Sequence, residues 1–365
     1  MSFKFYMPTK VLINRDVVIE NSKEFKGLGK KALIVTGKYS SKQNGSLDDV
    51  KVALEKEDIE YIVFDKVEEN PSVETVCLAS ELGRAENVDF IVGIGGGSPI
   101  DAAKAIGVMI KNRELTRETL FTSKKLESID IVAVPTTAGT GTETTQYSIL
   151  TDHNDRTKKN LGQEIFPVLS LCDAKYMMGM NLDVSRNTAI DALSHIVEGY
   201  LNVNSNIIID TLCEKALNIW GKAIPSLLNG DISLEDRENL LLASNVAGTI
   251  IAHTATSLPH GMGYNLTYFK NVPHGLANVC LYKEYLRVFK NKARVYNIYK
   301  FLGLSSYTEF EEIIEVLSKV DIEVTEEEIK EWASAFIANK AKVKNHPEDI
   351  TEENIYNIYK KSLIK

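Results

Sequence analysis

Val88-Asp-Phe-Ile-Val-Gly-Ile94, followed by Gly95-Gly96-Gly97-Ser98-Pro99-Ile100-Asp101, is the stretch from which the fold can be read. The first seven residues are apolar apart from Asp89 and carry β-branched side chains, as a strand buried on both faces does. Three glycines then end the strand. Without a Cβ, the backbone there turns sharply and lets a ligand come close. Ser98 is placed to cap a following helix, Pro99 fits its first position, and Asp101 completes a Ser-x-x-Asp box. A strand, a glycine turn and a helix N-terminus in that order offer free N–H groups to an anion such as a pyrophosphate. The plainer alternative is a tight turn that binds nothing. The pattern also departs from Gly-x-Gly-x-x-Gly, because Ser98 occupies the last position.

Outward from this stretch the first half repeats the same alternation. Ala32–Thr36, Tyr61–Phe64, Ile129–Val134 and Val168–Cys172 are short apolar runs, with helical patterns such as Leu47–Lys56 and Val73–Glu86 among them. Continuous apolar strands separated by helices predict a parallel sheet covered on both faces. A second loop, Pro135-Thr136-Thr137-Ala-Gly-Thr140-Gly-Thr-Glu-Thr-Thr145, follows the strand ending at Val134. Taken alone it reads as a solvated turn. Beside the first loop it sits where open α/β sheets bind ligands, at a strand's carboxyl end. After Asp173 strand patterns nearly vanish. Asn187–Leu201, Ile207–Leu228, Glu235–Ala252, Glu326–Ala338 and Thr351–Ile364 read as helices, the last with Thr351 as its cap. The expectation is a Rossmann-like α/β domain over residues 1–180 and an all-α domain over 181–365.

Composition narrows the function classes. The 365 residues carry a net charge of −8 and no basic cluster, which argues against nucleic acid as a partner. No apolar run approaches the roughly 20 residues that span a bilayer. The start, Met1-Ser-Phe-Lys-Phe-Tyr6, lacks a secretory core, so a cytoplasmic protein is expected. Cys77, Cys172, Cys213 and Cys280 are scattered and read as inert thiols rather than disulfides or thiolate ligands.

Six histidines are present, and three draw attention beside one acid. Asp191 and His195 are four apart, on one face of a predicted helix, where both can grip one ion. His260 and His274 each precede a glycine, where backbone can crowd a site. One carboxylate and three imidazoles suit Fe(II) or Zn, and such an ion polarises an alcohol or carbonyl oxygen. For any single helical histidine a core or surface role is the commoner outcome, and spacing alone does not bring His260 and His274 to the Asp191–His195 pair. His253 reads either as pocket lining or as core; His153 and His346 read as surface loop residues.

Taken together, Gly95-Gly-Gly-Ser-Pro-Ile-Asp-Ala-Ala-Lys104, Pro135-Thr-Thr-Ala-Gly-Thr140, Asp191-Ala-Leu-Ser-His195-Ile-Val-Glu-Gly-Tyr200 and His260 with Pro273-His274-Gly275 resemble the iron-containing (group III) alcohol dehydrogenases. Within that family the resemblance is to the NADP-dependent 1,3-propanediol/butanol dehydrogenase-like branch, and it covers nearly the whole chain. It implies a dehydroquinate synthase-like architecture with the active site between a Rossmann-like and a helical domain, and a homodimer. It implies hydride transfer between NADP(H) and a short-chain primary alcohol, diol or aldehyde. The four metal ligands it implies are Asp191, His195, His260 and His274. Gly97 and Ser98 correspond to pyrophosphate contacts, alongside Gly95, Gly96 and Asp101 of the same turn. Thr136, Thr137, Thr140 and Tyr147 belong to the loop beside the cofactor, Asn70 to its cleft, and either Lys158 or Lys159 to the nicotinamide ribose.

Two departures stand out. Many relatives carry a second histidine four residues after the third ligand, where this chain has Tyr264, and Pro259 directly before His260 is expected to bend its helix. Cofactor choice has a physical reading as well. At the end of the Ala32–Thr36 strand, where an acid would repel a 2′-phosphate, this chain has Gly37, followed by Lys38, Ser40, Ser41 and Lys42, so NADP(H) is preferred over NAD(H). Rival readings are a zinc, NAD-linked glycerol dehydrogenase-like enzyme, a dehydroquinate synthase-like cyclase and a metal-stabilised nucleotide-binding module without turnover. The cyclase needs several cations for its phosphate, and only Lys270 lies near the metal motifs.

Overall fold

The computed structural model describes residues 3–338 and 343–364; Met1 and Ser2 of the N-terminal stretch lie outside them. Tyr6–Met180 form one compact unit, and Asn181 onward the other. Phe5 belongs to this second unit rather than the first: its ring stacks on His253 at 4.4 Å.

The N-terminal unit contains strands β1 (Lys10–Ile13), β2 (Lys31–Gly37), β3 (Glu60–Val67), β4 (Phe90–Gly95), β5 (Asp130–Pro135), β6 (Ile149–Asp152), β7 (Thr157–Asn160) and β8 (Leu169–Cys172). Its helices are α1 (Val17–Glu20), α2 (Ser40–Gln43), α3 (Ser46–Lys56), α4 (Val73–Ala85) and α5 (Gly97–Lys111). Six strands form one sheet in the order β1-β8-β5-β4-β2-β3, and every pairing is parallel. Strand residues alternate between two cores. Leu33 and Val35 of β2 face α4 and α5, whereas Ala32 and Ile34 face α1 and α3. A sheet buried on both faces explains why its strands read as continuous apolar runs.

From β2 the chain moves outward to β3, then crosses back to β4 on the other side of β2. At such a reversal the connections leave in opposite directions and open a crevice at the strands' carboxyl ends. The glycine turn after β4 sits at this point. β1 and the β6–β7 hairpin were not expected. Both are four residues per strand, and β7 is the polar Thr157-Lys-Lys-Asn160, which carries no apolar pattern to read.

The second unit holds α6 (Leu182–Tyr200), α7 (Ile207–Gly221), α8 (Ile224–Asn229), α9 (Leu234–Thr254), α10 (Leu258–Lys270), α11 (His274–Val279), α12 (Tyr282–Val288), α13 (Ala293–Phe301), α14 (Tyr307–Leu317), α15 (Glu326–Ala338) and α16 (Glu352–Leu363). None of its described residues is in a strand. The single helix expected over Ile207–Leu228 is two. It stops at Gly221, whose added Cβ would meet the Leu302 carbonyl at 2.3 Å, and restarts around Pro225. The centre of the unit is α6, buried on every side from Ala189 to Tyr200. Thr351 caps α16 as expected, in a reciprocal box with Asn354. No helix among the described residues is long and apolar enough to cross a membrane.

Candidate functional site

The helical unit brings the four candidate ligands to one place. Asp191 and His195 project from the buried stretch of α6, one turn apart. His260 stands in the first turn of α10, and His274 opens α11. Asp191 Oδ1 lies 3.8 Å from His260 Nε2 and 3.8 Å from His274 Nε2. The rings of His195 and His260 stack at 4.6 Å, and those of His260 and His274 meet edge-on at 5.3 Å. Asp191, His195 and His260 are buried and each offers one ligand atom within 4.8 Å of the others. Four ligands at about 2.0–2.2 Å from one tetrahedral ion stand about 3.3–3.5 Å from each other. The observed separations are too long for direct hydrogen bonds and close to that spacing, so the donor set fits a divalent metal. His274 is 30% exposed, so the site opens on its side, where the Tyr264 ring lies against it at 5.9 Å.

Glycine makes the convergence possible. A Cβ on Gly275 would lie 2.1 Å from the Asn187 carbonyl oxygen and 3.1 Å from Asp191 Cβ. Only a bare backbone lets α11 sit this close to α6 and carry His274 to Asp191. Pro259 does not bend α10, contrary to expectation: it lies in the first turn, where its missing N–H is not needed by the helix.

One buried acid beside the ligands went unread in the sequence. Glu198 on α6 is fully buried; Oε1 accepts from His260 Nδ1 at 2.6 Å, and Oε2 accepts from the Ser257 N–H at 2.6 Å. The Tyr282 hydroxyl also donates to Oε1 at 3.2 Å. The signal was present: Asp191, His195 and Glu198 fall at i, i+4 and i+7, one stripe of a helix. Lys270, the one cation noted near the motifs, is tied to Glu328 at 2.7 Å.

In the N-terminal unit the two loops pack face to face. Gly95 adopts φ 150°, and a Cβ there would strike Pro99 at 2.5 Å. A Cβ on Gly96 or Gly97 would meet Thr137 or Thr140 at 3.0 and 2.8 Å. Thr136 is buried, its N–H bonded to the Gly95 carbonyl. The expected cap is not formed. Helix α5 begins at Gly97 with Gly96 as its N-cap and no side-chain cap bond, two residues earlier than the sequence suggested. Ser98 Oγ instead accepts the Asn70 N–H at 3.0 Å. Asp101 turns away from the helix start. Its Oδ1 accepts from Thr142 Oγ1 and its Oδ2 from the Ile149 N–H, so the carboxylate ties α5 to the second loop. Burial pushes its pKa up, against Lys104 and these donors.

Lys104, fully buried, completes that tie. Its ammonium donates to the Thr142 carbonyl and hydroxyl, both at 2.8 Å, and to the Tyr147 carbonyl at 2.7 Å. Burial pulls its pKa down to about 8. The Tyr147 phenol is pushed up to about 12, also by burial. The two candidate lysines differ. Lys158 reaches Asn70 Oδ1 at 2.7 Å, beside Ser98, while Lys159 is turned to Asp152 and Asp155. Past Gly37, Ser40 begins α2 and is exposed; Lys42 is paired with Asp65 at 2.5 Å, and exposed Lys38 lies over the Tyr39 ring.

Of the remaining histidines, His153 is exposed in the β6–β7 turn. His253 bonds the Thr249 carbonyl at 2.7 Å and stacks on Phe5. His346 corrects its reading: it is only 5% exposed, packed against Phe289 at 4.5 Å and Tyr285 at 5.9 Å, and burial lowers its pKa to about 4. Aromatic partners on α12 and just past its end, distant in sequence, bury a loop that composition alone marks as polar. All four cysteines are free thiols.

Comparison with known proteins follows the same division. The model of the iron-containing alcohol dehydrogenase family matches residues 8–174, and that of the C-terminal part of the Fe-containing alcohol dehydrogenase family matches residues 185–363. An NADPH-dependent butanol dehydrogenase of Clostridium saccharobutylicum is 32% identical over 322 residues, 86% of this chain and 81% of that one. A 1,3-propanediol dehydrogenase of Citrobacter freundii is 32% identical over 75% of this chain and 72% of its own. The crystal structure of an iron-containing alcohol dehydrogenase from Thermotoga maritima superposes with a TM-score of 0.92 at 38% identity, covering 99% of both chains. With a parallel-sheet unit, a helical unit and a carboxylate–imidazole cluster in the expected order, the chain belongs to the iron-containing alcohol dehydrogenase family and is an oxidoreductase of that family.

Proposed function

We propose that this enzyme reduces short-chain aldehydes to primary alcohols or diols, and oxidises them in reverse, with NADP(H) as hydride carrier. The observation that carries the reading is the convergence of Asp191, His195, His260 and His274. These residues would hold Fe(II), or Zn(II) in its place, and the ion when bound supplies a Lewis acid for an alcohol or carbonyl oxygen. The N-terminal unit contributes cofactor binding. Gly95, Gly96, Gly97 and Ser98 offer the start of the 15-residue helix α5 to the pyrophosphate. Thr137 and Thr140 hold that turn from the opposite loop, and Asp101 and Lys104 keep the loop in place. Lys158, rather than Lys159, is assigned to the nicotinamide ribose because Asn70 and Ser98 lie beside it.

The preference for NADP(H) draws support from Gly37 and exposed Lys38 at the end of β2, where no acid opposes a 2′-phosphate. With Lys42 paired to Asp65, Lys38 is the cation assigned to it. The relative named as an NADPH-dependent butanol dehydrogenase points the same way. A homodimer is carried over from the family resemblance, and a cytoplasmic setting from the sequence reading of the N-terminal stretch and the scattered cysteines.

The test is reconstitution of metal-stripped protein with Fe(II) or Zn(II), followed by NADPH and NADH oxidation against three- to five-carbon aldehydes. The expected result is metal-dependent turnover with NADPH favoured, and joint loss of metal and turnover in His260→Ala and His274→Ala. Full metal and full rate in both variants would remove the site assignment; preference for NADH would remove the cofactor reading alone.

A further inference from the structure

We infer that Glu198 is a positioning residue for the metal site: its carboxylate holds the His260 imidazole as the Nδ1–H tautomer, with the Nε2 lone pair aimed at the shared ion. This rests on the metal reading above. The geometry leaves little choice of proton position. Glu198 Oε1 lies 2.6 Å from His260 Nδ1, while Nε2 of the same ring faces Asp191 Oδ1 at 3.8 Å. A carboxylate accepts and does not donate, so the ring nitrogen beside it carries the hydrogen. The opposite nitrogen is then a bare donor pair, the form in which imidazole ligates a metal.

Glu198 is itself held firmly. Its Oε2 accepts the Ser257 N–H at 2.6 Å, at the very residue that caps α10. The single Tyr282 hydroxyl proton is shared between Oε1 at 3.2 Å and the Ser194 carbonyl of α6 at 3.0 Å. One buried side chain therefore fixes both the start of the helix that bears His260 and the rotation of its ring. Because Asp191, His195 and Glu198 share one stripe of α6, a single helix supplies two ligands directly and orients a third through its carboxylate. Outer carboxylates of this kind raise the donor strength of the imidazole they hold, and their loss costs about ten- to a hundredfold in metal affinity.

The experiment compares Co(II) and Zn(II) binding to metal-free wild type, Glu198→Gln and Tyr282→Phe, by competition with a chelator, and records the ligand-field spectrum of each Co(II) form. Glu198→Gln is expected to bind each ion about ten- to a hundredfold more weakly, with a shifted Co(II) spectrum. Tyr282→Phe removes a neighbouring donor to the same oxygen without touching His260, and is expected to keep affinity within a few-fold and the spectrum unchanged. Wild-type affinity and spectrum in Glu198→Gln would overturn the inference, as would an equal loss in Tyr282→Phe, which would mark general loosening. If Glu198→Gln does not fold, nitrogen NMR of histidine-labelled wild type decides: an Nδ1–H His260 is expected, and an Nε2–H form overturns the proposal. Failure of wild type itself to bind a divalent ion would strike the metal reading, while the tautomer measurement would still judge Glu198.

Discussion

Replacing Gly275 by alanine is a single added methyl with a calculable consequence. Its carbon would stand 2.1 Å from the Asn187 carbonyl oxygen, short of ordinary contact near 3.4 Å by about 1.3 Å. That oxygen belongs to the backbone of α6 and has no rotamer to escape into, so α11 must retreat. Overfilling a packed interior costs about 1–3 kcal/mol, and a rigid backbone obstacle places this case near the top of that range. Each kcal/mol lowers the melting temperature of a unit this size by roughly 2–4 °C, so a fall of about 6–12 °C is expected. Retreat also draws His274 from Asp191, taking their 3.8 Å separation toward about 5 Å, beyond shared coordination. The assay is thermal unfolding together with metal content after dialysis, with Gly179→Ala as control, since an added Cβ there meets nothing within 4 Å. If Gly275→Ala melts within a degree or two of wild type and retains a full complement of metal, the close-approach argument is wrong.

Three further outcomes are expected. His346 has a folded pKa depressed to about 4, so between that value and its ordinary 6.5 the unfolded chain binds more protons than the native one. Stability should therefore fall as pH drops through that window, and His346→Phe should flatten the decline by up to about 2.4 kcal/mol in urea titrations at pH 7 and 4.5. Ala255 joins α9 to α10 at φ 57°, ψ −178°, a conformation that costs a non-glycine residue about 1–3 kcal/mol. Ala255→Gly should raise stability by about 1 kcal/mol after the glycine entropy cost, read as a higher urea midpoint. Lys104→Met strips the buried donors from the Thr142 and Tyr147 carbonyls and should raise KM for the nicotinamide cofactor up to about tenfold with kcat little changed, measured by steady-state titration.

The parallel sheet was legible because each central strand lies between two cores and must be apolar throughout; Ala32–Thr36 and Phe90–Ile94 show it plainly. The β6–β7 hairpin was not, because Thr157-Lys-Lys-Asn160 pairs through backbone bonds and needs no apolar face. Asp191 and His195 could be paired by helical period alone. Bringing His274 to them depended on the contact between α11 and α6 at Gly275, and placing His260 on the bond from α10 to Glu198, neither of which a local pattern encodes. Ser98 looked like a cap in sequence because Ser-x-x-Asp is a capping signature. The structure spends Ser98 on Asn70 and Asp101 on Thr142 of the second loop and on Ile149 of β6, since tertiary donors outweigh the local box. Ile207–Leu228 shows the reverse limit, for its apolar period runs on through the break between Gly221 and Ile224.

Strand β1 pairs only with β8, Lys10 opposite Leu169, and the Asp16 N–H closes on Asp173 just beyond. On a ribosome adding about 5–20 residues per second, roughly 160 residues must follow β1 before its mate is made, so the strand waits about 8–30 s with its edge unsatisfied. The four strands β2 to β5 can pair with one another during that time, and β8 then seals the gap between them and the waiting segment. A nascent chain halted before Leu169 would keep the crevice at β2 and β4 yet carry an unpaired arm, the kind of edge that recruits neighbours into aggregates. For this fold, synthesis of β8 is the moment at which β1 gains its place in the sheet.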